Sequence, residues 1–417
     1  MVRAYLTFFQ QFSRNVKLFL IGNAINGMGM SIHGLLFNLY LKELGYGETI
    51  IGNLISTGSL GISLMAIPAS LIIERYHVKQ LVITGMAISS VFYFIQIFHA
   101  DVGSLFIYGL IAAMFQALFS ISVSPFYLRN STHEQRVHLF SMNSSMNMGA
   151  HLIGYALGGY LPAIMKWFNH DFTKLQAMRG AIVCALVIVA LSNLIFMKIQ
   201  RVPIPKQKNK RVFEGLREKD WVIIGKLATP KLCLALGSGL TVPFINLYLR
   251  ERFDFSTKMI GISYAILQTF IFIGIFITPS LVKKTTNLKF IMGTAFFAIP
   301  FMVGMGIAGN VSLVLSCFFM RGMLMNMSSP ITSMFEMEKV REKECVFASA
   351  IIVFFYHLVY SGGTRVGGYL IETYSFGPTF FMSGAAYAVA IVLYRRFFKA
   401  DEKLISANAT DTEQAAA

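Results

Sequence analysis

The sequence predicts an all-α membrane protein of two pseudo-symmetric halves with six helices each, and three observations predict it. The 417 residues are 55% hydrophobic and 13% charged, with a mean hydropathy of +0.61, whereas an ordinary soluble domain has about 25% charged residues. Long apolar stretches recur, among them 105–128 and 180–197, each near the roughly 20 residues that a bilayer-spanning helix needs. One phrase also occurs twice: Asn-Leu-Tyr-Leu-Lys-Glu begins at Asn38 and Asn-Leu-Tyr-Leu-Arg-Glu at Asn246 (246 − 38 = 208).

Spans are expected near 17–41, 50–74, 79–98, 104–128, 137–165 and 175–197, then near 222–249, 257–282, 288–308, 311–334, 345–371 and 377–396. The fifth is long for a span and is expected to tilt or to end near Pro162. Residues 1–197 thus form an N-terminal bundle and 221–400 a C-terminal one. Between them, 198–220 is a basic polar linker, and 401–417 is expected to be a disordered tail. Met1–Lys17 shows no apolar segment with a small-residue cleavage site, so the first span is expected to direct insertion. Tyr5, Phe8, Phe9 and Phe12 there suit either a short interfacial helix or a flexible lead-in.

Lys and Arg set the expected orientation. With the N-terminus inside, the inner segments hold most of the 36 basic residues, which places both termini in the cytoplasm of an inner or plasma membrane. The net charge of +16 then reflects the positive-inside bias and contact with anionic lipid, and no nucleic-acid partner is needed to explain it. The four cysteines, Cys184, Cys233, Cys317 and Cys345, lie in or beside spans without metal-ligand spacing and read as small buried residues. No nucleophile constellation, phosphate loop or metal motif is present. The sequence therefore points to no enzyme, cofactor or bound metal. Methionines cluster at Met320, Met323, Met325 and Met327 and read as packing, as adaptable cavity lining or, least of all, as soft-metal ligands.

The repeat extends well beyond its first phrase. Ile51-Gly52 returns at Ile260-Gly261, Pro68 at Pro279, Ser124-Pro125 at Ser329-Pro330, and Gly-Gly-Tyr-Leu at Gly158 and Gly367. Six spans per half make these parallel repeats about an axis along the membrane normal. In this the chain resembles the major facilitator superfamily over essentially its whole length. The resemblance implies two bundles that rock around a mid-depth cavity, lined by the first, fourth, seventh and tenth spans. It also implies a gating charge relay after the second span, where Glu74, Arg75 and Lys79 stand at the motif's charged positions while Ser70, His77 and Val78 depart from it. Gly154, Gly158 and Gly159 in span five, and Gly363, Gly367 and Gly368 in span eleven, match a small-residue pattern of close helix packing. Tyr155 replaces the exporters' proline, and Gln116 stands in the span-four region where drug exporters carry Arg.

Ionisable residues at mid-membrane are functional candidates by default, because each costs at least ~2.5–3.5 kcal/mol on insertion scales. Arg321 is the strongest of them. Arg365 either binds a solute or snorkels toward Glu372. His33, His151 and His357 are candidate proton carriers, and Asn26, one turn from Asn23, presents amide chemistry on span one. Carboxylates occur only near span ends, as Glu74, Glu336 and Glu372, so the expected cavity favours anionic or neutral amphipathic solutes. The expected function is secondary active transport by a monomer, as proton-coupled export, with His33 or Glu74 carrying the proton and Arg321 meeting the solute. Uptake of a small organic anion and the flipping of lipid or other amphiphiles are the alternatives.

Overall fold

The computed structural model describes residues 9–200, 218–283, 285–340 and 345–416. Among them are fourteen helices of nine residues or more and no strand. In the N-terminal half these are α1 (Arg14–Glu43), α2 (Glu48–Arg75), α3 (Val78–Phe98), α4 (Val102–Asn130), α5 (His133–Phe168) and α6 (Lys174–Met197). The C-terminal half has α7 (Glu218–Thr241), α8 (Ile245–Phe253), α9 (Thr257–Val282), α10 (Asn287–Ile307), α11 (Val311–Met327), α12 (Ser329–Lys339), α13 (Cys345–Tyr374) and α14 (Phe376–Ala416). Local chemistry sets the helix starts. Thr173 and Gln176 form a capping box on α6, and Asp101 accepts from the Ser104 N–H at 2.8 Å to cap α4. That same bond holds the exposed Asp101 carboxyl below its ordinary pKa.

Nine described segments are long and apolar enough to cross a membrane. Helices α1, α5 and α13 match them in length but carry polar residues along their course, among them Asn23, Asn26 and His33 on α1. Two expected spans are broken. The seventh divides at the 3-10 turn Val242–Phe244, where Pro243 withholds a backbone N–H. The tenth divides at Ser328, and α12 begins with Pro330 in its first turn. Pro162, by contrast, does not end α5, which runs on to Phe168. The tail expected to be disordered is helical as far as Ala416, since residues added to an existing helix do not bear the cost of nucleation. Most of the basic linker, 201–217, and the aromatic lead-in up to Phe8 lie outside the described residues.

The two bundles meet at one face. Asn15 at the start of α1 bonds Gln200 beyond α6, with the Gln200 N–H donating to Asn15 Oδ1 at 2.9 Å, so the chain's start and the linker share one face, here called the terminal face. Toward the opposite, far face, one apolar core runs through both bundles, uniting Leu36, Leu39 and Tyr40 with Phe244, Leu247 and Tyr248. Toward the terminal face the core splits in two. One cluster surrounds Phe19, Phe126 and Phe196 in the N-terminal bundle, and another surrounds Leu227, Ile352 and Tyr394 in the C-terminal bundle.

The repeated phrase lies on the axis between the bundles. Asn38 Nδ2 donates to Asn246 Oδ1 at 3.1 Å and to the Pro243 carbonyl at 2.6 Å, and Asn246 Nδ2 donates to the Leu35 carbonyl at 3.1 Å. Leu35 and Pro243 stand 208 residues apart, as Asn38 and Asn246 do, so the bonds are related by the pseudo-two-fold. Tyr40 and Tyr248 obey the same symmetry, donating to the carbonyls of Ile97 and Met305. Two glycine crossings flank the asparagines. A Cβ on Gly159 of α5 would lie 3.0 Å from Gly261 Cα of α9, and one on Gly52 of α2 would lie 3.2 Å from Gly368 Cα of α13. The other four glycines of the small-residue pattern sit at crossings within a bundle. Gly154 and Gly158 face Met28 and Ile32 of α1, and Gly363 and Gly367 face Leu236 and Leu240 of α7. Asn38→Leu is expected to destabilise the chain in detergent by about 1–3 kcal/mol, because it strips partners from buried polar atoms. The Asn38→Leu/Asn246→Leu pair is expected to cost less than the sum of the two single changes; additive losses in denaturant titrations would show that the two side chains do not act as one contact.

Candidate functional site

The far face is closed by charges that the repeat duplicates. Lys42-Glu43 ends α1, and Arg250-Glu251 occupies the same place on α8. They pair reciprocally: Arg250 with Glu43, and Lys42 with Glu251 at 3.0 Å. Lys42 also meets Glu48, and Lys174 meets Glu43 at 2.7 Å. On the opposite bundle Glu372 accepts from the Thr49 N–H at 2.7 Å, setting a carboxylate on the first turn of α2. Lys42 and Glu251 are each about one-third exposed, and such pairs are worth about 0.2–1 kcal/mol apiece. That is enough to bias the closed face and little enough for a conformational cycle to break.

Below this closure the bundles separate on one side. Helices α2 and α13 stay joined as far as the 2.9 Å bond from Ser63 Oγ to the Phe354 carbonyl. On the other side Tyr155 of α5 and Tyr264 of α9 touch, with ring centroids 5.2 Å apart. Next to this pair, toward the terminal face, lies a cavity of about 580 Å³. Its N-terminal wall is α5, with Asn143, Asn147 and His151. Its other walls come from α8, α9, α11 and α12, with Gln268, Arg321 and Asn326.

Arg321 dominates the cavity. It is 6% exposed, its guanidinium lies 5.9 Å from the Tyr387 ring centroid, and Nη2 donates to the Tyr387 hydroxyl and, at 3.5 Å, to Ser238 Oγ. Both partners are neutral. Among the described residues no carboxylate pairs with Arg321, and its buried Nε has no acceptor. A guanidinium held only by neutral hydroxyls lacks a counter-charge among the described residues, and the N–H groups not spent on them can serve an anion.

The N-terminal wall is neutral and ordered. Asn143 Oδ1 accepts from Asn23 at 2.8 Å, Tyr127 at 2.7 Å and Asn147 at 3.0 Å, bonds that leave its own NH₂ group unspent. Ser31 Oγ donates to the Gly27 carbonyl at 2.8 Å and also contacts His151 Nδ1. With its proton given to Gly27, the hydroxyl accepts from Nδ1–H, so His151 Nε2 is the nitrogen that remains to take a proton.

The seven candidate solute-binding residues separate in space. Arg321 and His151 share this cavity, and His33 lines a second one. Asn26, Gln116, Arg365 and His357 line neither. Gln116 accepts from Ser89 inside the N-terminal bundle, and Asn26 is buried. Arg365 donates to Ser56 Oγ at 3.0 Å instead of meeting Glu372. Lys231 is paired with Glu336 at 2.7 Å. Glu74 and Arg75 end α2, and their side chains lie outside the described residues. Lys79 donates to the Met197 carbonyl at 3.0 Å, within its own bundle. The expected Met cluster contributes nothing to the cavity, whose one methionine is Met148. Spans five and eight line it in place of spans one and four. Sequence reasoning overlooked Asn143 and Asn147, whose spacing of four residues sets both on one helical face.

A sequence model of the Major Facilitator Superfamily matches residues 19–364. The chain belongs to the major facilitator superfamily. It is therefore a membrane transporter of small molecules and not an enzyme. No curated protein matches its sequence. Among solved structures it is similar to a bacterial homologue of the human lysosomal transporter Spinster in an inward-facing, unoccupied conformation (TM-score 0.75, 12% identity, covering 93% of this chain and 97% of that one). It is also similar to the nucleoside transporter NupG (0.73, 11%, 93% and 100%) and to a D-xylose–proton symporter (0.72, 14%, 92% and 97%). At these identities the likeness is one of fold, and superfamily membership leaves the solute to be read from the cavity.

The reciprocal ion pairs make the far face testable. In a background without the four native cysteines, Gly34→Cys is expected to react faster with a membrane-impermeant maleimide from the far side once Glu43→Ala and Glu251→Ala are added. Unchanged labelling rates would show that the pairs do not hold that face shut.

Proposed function

We propose that this transporter exports a small organic anion in exchange for protons, working as a monomer in the inner or plasma membrane with both termini cytoplasmic. The observation that carries the reading is Arg321, a buried cation whose partners among the described residues are neutral, set in the wall of a cavity between the bundles. A carboxylate or phosphate ester there completes the guanidinium fork. The solute's neutral hydrogen-bonding groups then face Asn143 and Asn147, and its apolar part lies along Leu267, Ile271 and Ile275.

His151 is the proton carrier in this scheme and takes the place expected for His33, because it lines the same cavity as Arg321 from the opposite bundle. A proton on Nε2 adds a second positive charge to the cavity and strengthens anion binding; its loss weakens it. The far face is closed and the cavity extends toward the face that holds both ends, the state in which an exporter loads its solute. The basic loops support that assignment of sides.

A second reading, transport of a membrane-borne amphiphile with an anionic head, is favoured by the place of the cavity between α5 and α9, while α2 and α13 stay joined. Lysophosphatidate presented in vesicles, set against benzoate in solution, distinguishes the two.

Purified chain is expected to be stabilised against heat by small carboxylates and phosphate esters and not by organic cations. Arg321→Gln is expected to weaken that binding by about tenfold or more, the loss of one charge-assisted hydrogen bond of ~1.5–3 kcal/mol. Equal stabilisation of wild type and Arg321→Gln would sink the anion reading. In proteoliposomes His151→Gln is expected to abolish the response of flux to an imposed pH gradient while anion binding at fixed pH persists. A gradient response equal to wild type would remove His151 from the coupling.

A further inference from the structure

Beyond the tyrosine pair, toward the far face, lies a second chamber of about 340 Å³, within the size range of small-molecule pockets. It shares Tyr155, Val242 and Tyr264 with the Arg321 cavity, so these three residues form the partition between the two. Its chemistry is different. No charged residue lines it, and its walls are aromatic and amide-bearing.

Two polar groups in those walls are unanswered. His33 is 7% exposed and Gln96 1% exposed, yet His33 Nε2 and Gln96 Oε1 have no hydrogen-bond partner. Gln96 spends its amide N–H on the Leu105 carbonyl at 2.7 Å, which leaves the carbonyl oxygen as a fixed acceptor. The His33 ring lies between Phe37, stacked at 5.1 Å, and Tyr93 at 4.9 Å, so its orientation is fixed by packing. An unsatisfied buried polar atom costs about 1–3 kcal/mol, and two such atoms belong to side chains that line this one chamber.

We infer that this chamber is a second binding site, for an uncharged planar group with an N–H or O–H donor for Gln96 Oε1 and a hydrogen-bonding partner for His33 Nε2. The inference deepens the reading of Arg321 and rests on it in one respect: the transported solute is two-ended, its anionic end held at Arg321 and its neutral end admitted past Tyr155 and Tyr264. The chamber lies between the Arg321 cavity and the closed far face, on the route out.

Benzamide, neutral and planar with amide donors, probes the chamber alone, and benzoate probes the Arg321 cavity alone. Saturation-transfer NMR on the full chain in detergent measures both. Benzamide is expected to bind wild type and Arg321→Gln equally, and to bind His33→Phe about fivefold more weakly, the loss of roughly one hydrogen bond. Gly58→Leu is expected to exclude it, because Gly58 lines the chamber with open space beyond its Cα, so a side chain fills the volume without displacing a neighbour. Neither chamber variant is expected to change benzoate binding or the melting temperature by comparable amounts. Benzamide that does not bind wild type, or that binds Gly58→Leu and His33→Phe as it binds wild type, overturns the inference. Benzoate that binds Arg321→Gln normally, with benzamide behaving as stated, overturns the anion reading and leaves the chamber standing.

Discussion

Two asparagines, Asn38 and Asn246, hold the bundles together at the axis, and the rest of the arrangement depends on that contact. Each amide reaches across to the other bundle's backbone, and the two meet side chain to side chain. Lipid offers no hydrophobic drive between helices, so buried hydrogen bonds and close glycine contacts carry the association. Here both lie toward the far face, at Gly159 with Gly261 and Gly52 with Gly368. The shared apolar core surrounds them, and away from them it divides into one core per bundle. A molecule joined at one face and divided at the other has its cavity open toward the divided face. The same elements, rocked about the axis, give the opposite state in this superfamily's way of working.

Within that frame charge is distributed unevenly. At the far face each bundle offers one cation and one anion to the other, and the pairs are partly hydrated, so their breaking is cheap. In the cavity Arg321 has no counter-charge among the described residues, and its partners there are hydroxyls. A buried unpaired cation is costly, and a solute anion offsets that cost while it is bound. The chamber beyond the tyrosines shows the same logic in neutral form, with two buried polar atoms that have no hydrogen-bond partner in the protein.

Much of the fold was legible because the bilayer leaves few choices. Apolar length reported the spans, and the echo from Asn38 to Asn246 reported the symmetry. Backbone breaks at Pro243 and Ser328 were not visible, since prolines at 162 and 230 sit inside unbroken helices; whether a proline divides a helix depends on what its neighbours supply. Candidate residues fared according to their charge. Arg321 announced itself through its insertion cost. Arg365 carries the same signal, yet it meets Ser56 across the bundle interface and lines neither of the two cavities. Asn143 and Asn147 carry little such signal, so no sequence rule singled them out.

The sequence by itself determined the spans, the two-fold repeat and the single deep cation in span ten, because each is a local property of composition or of self-similarity along one chain. Only the tertiary structure decided that His151 rather than Gln116 or His357 shares a cavity with Arg321, and that His33 belongs to a separate neutral chamber. Those relations join helices far apart in sequence, and they turn on how each helix is rotated and where it crosses its neighbours. Such quantities are set by packing between helices, and the residues of one helix do not encode them alone.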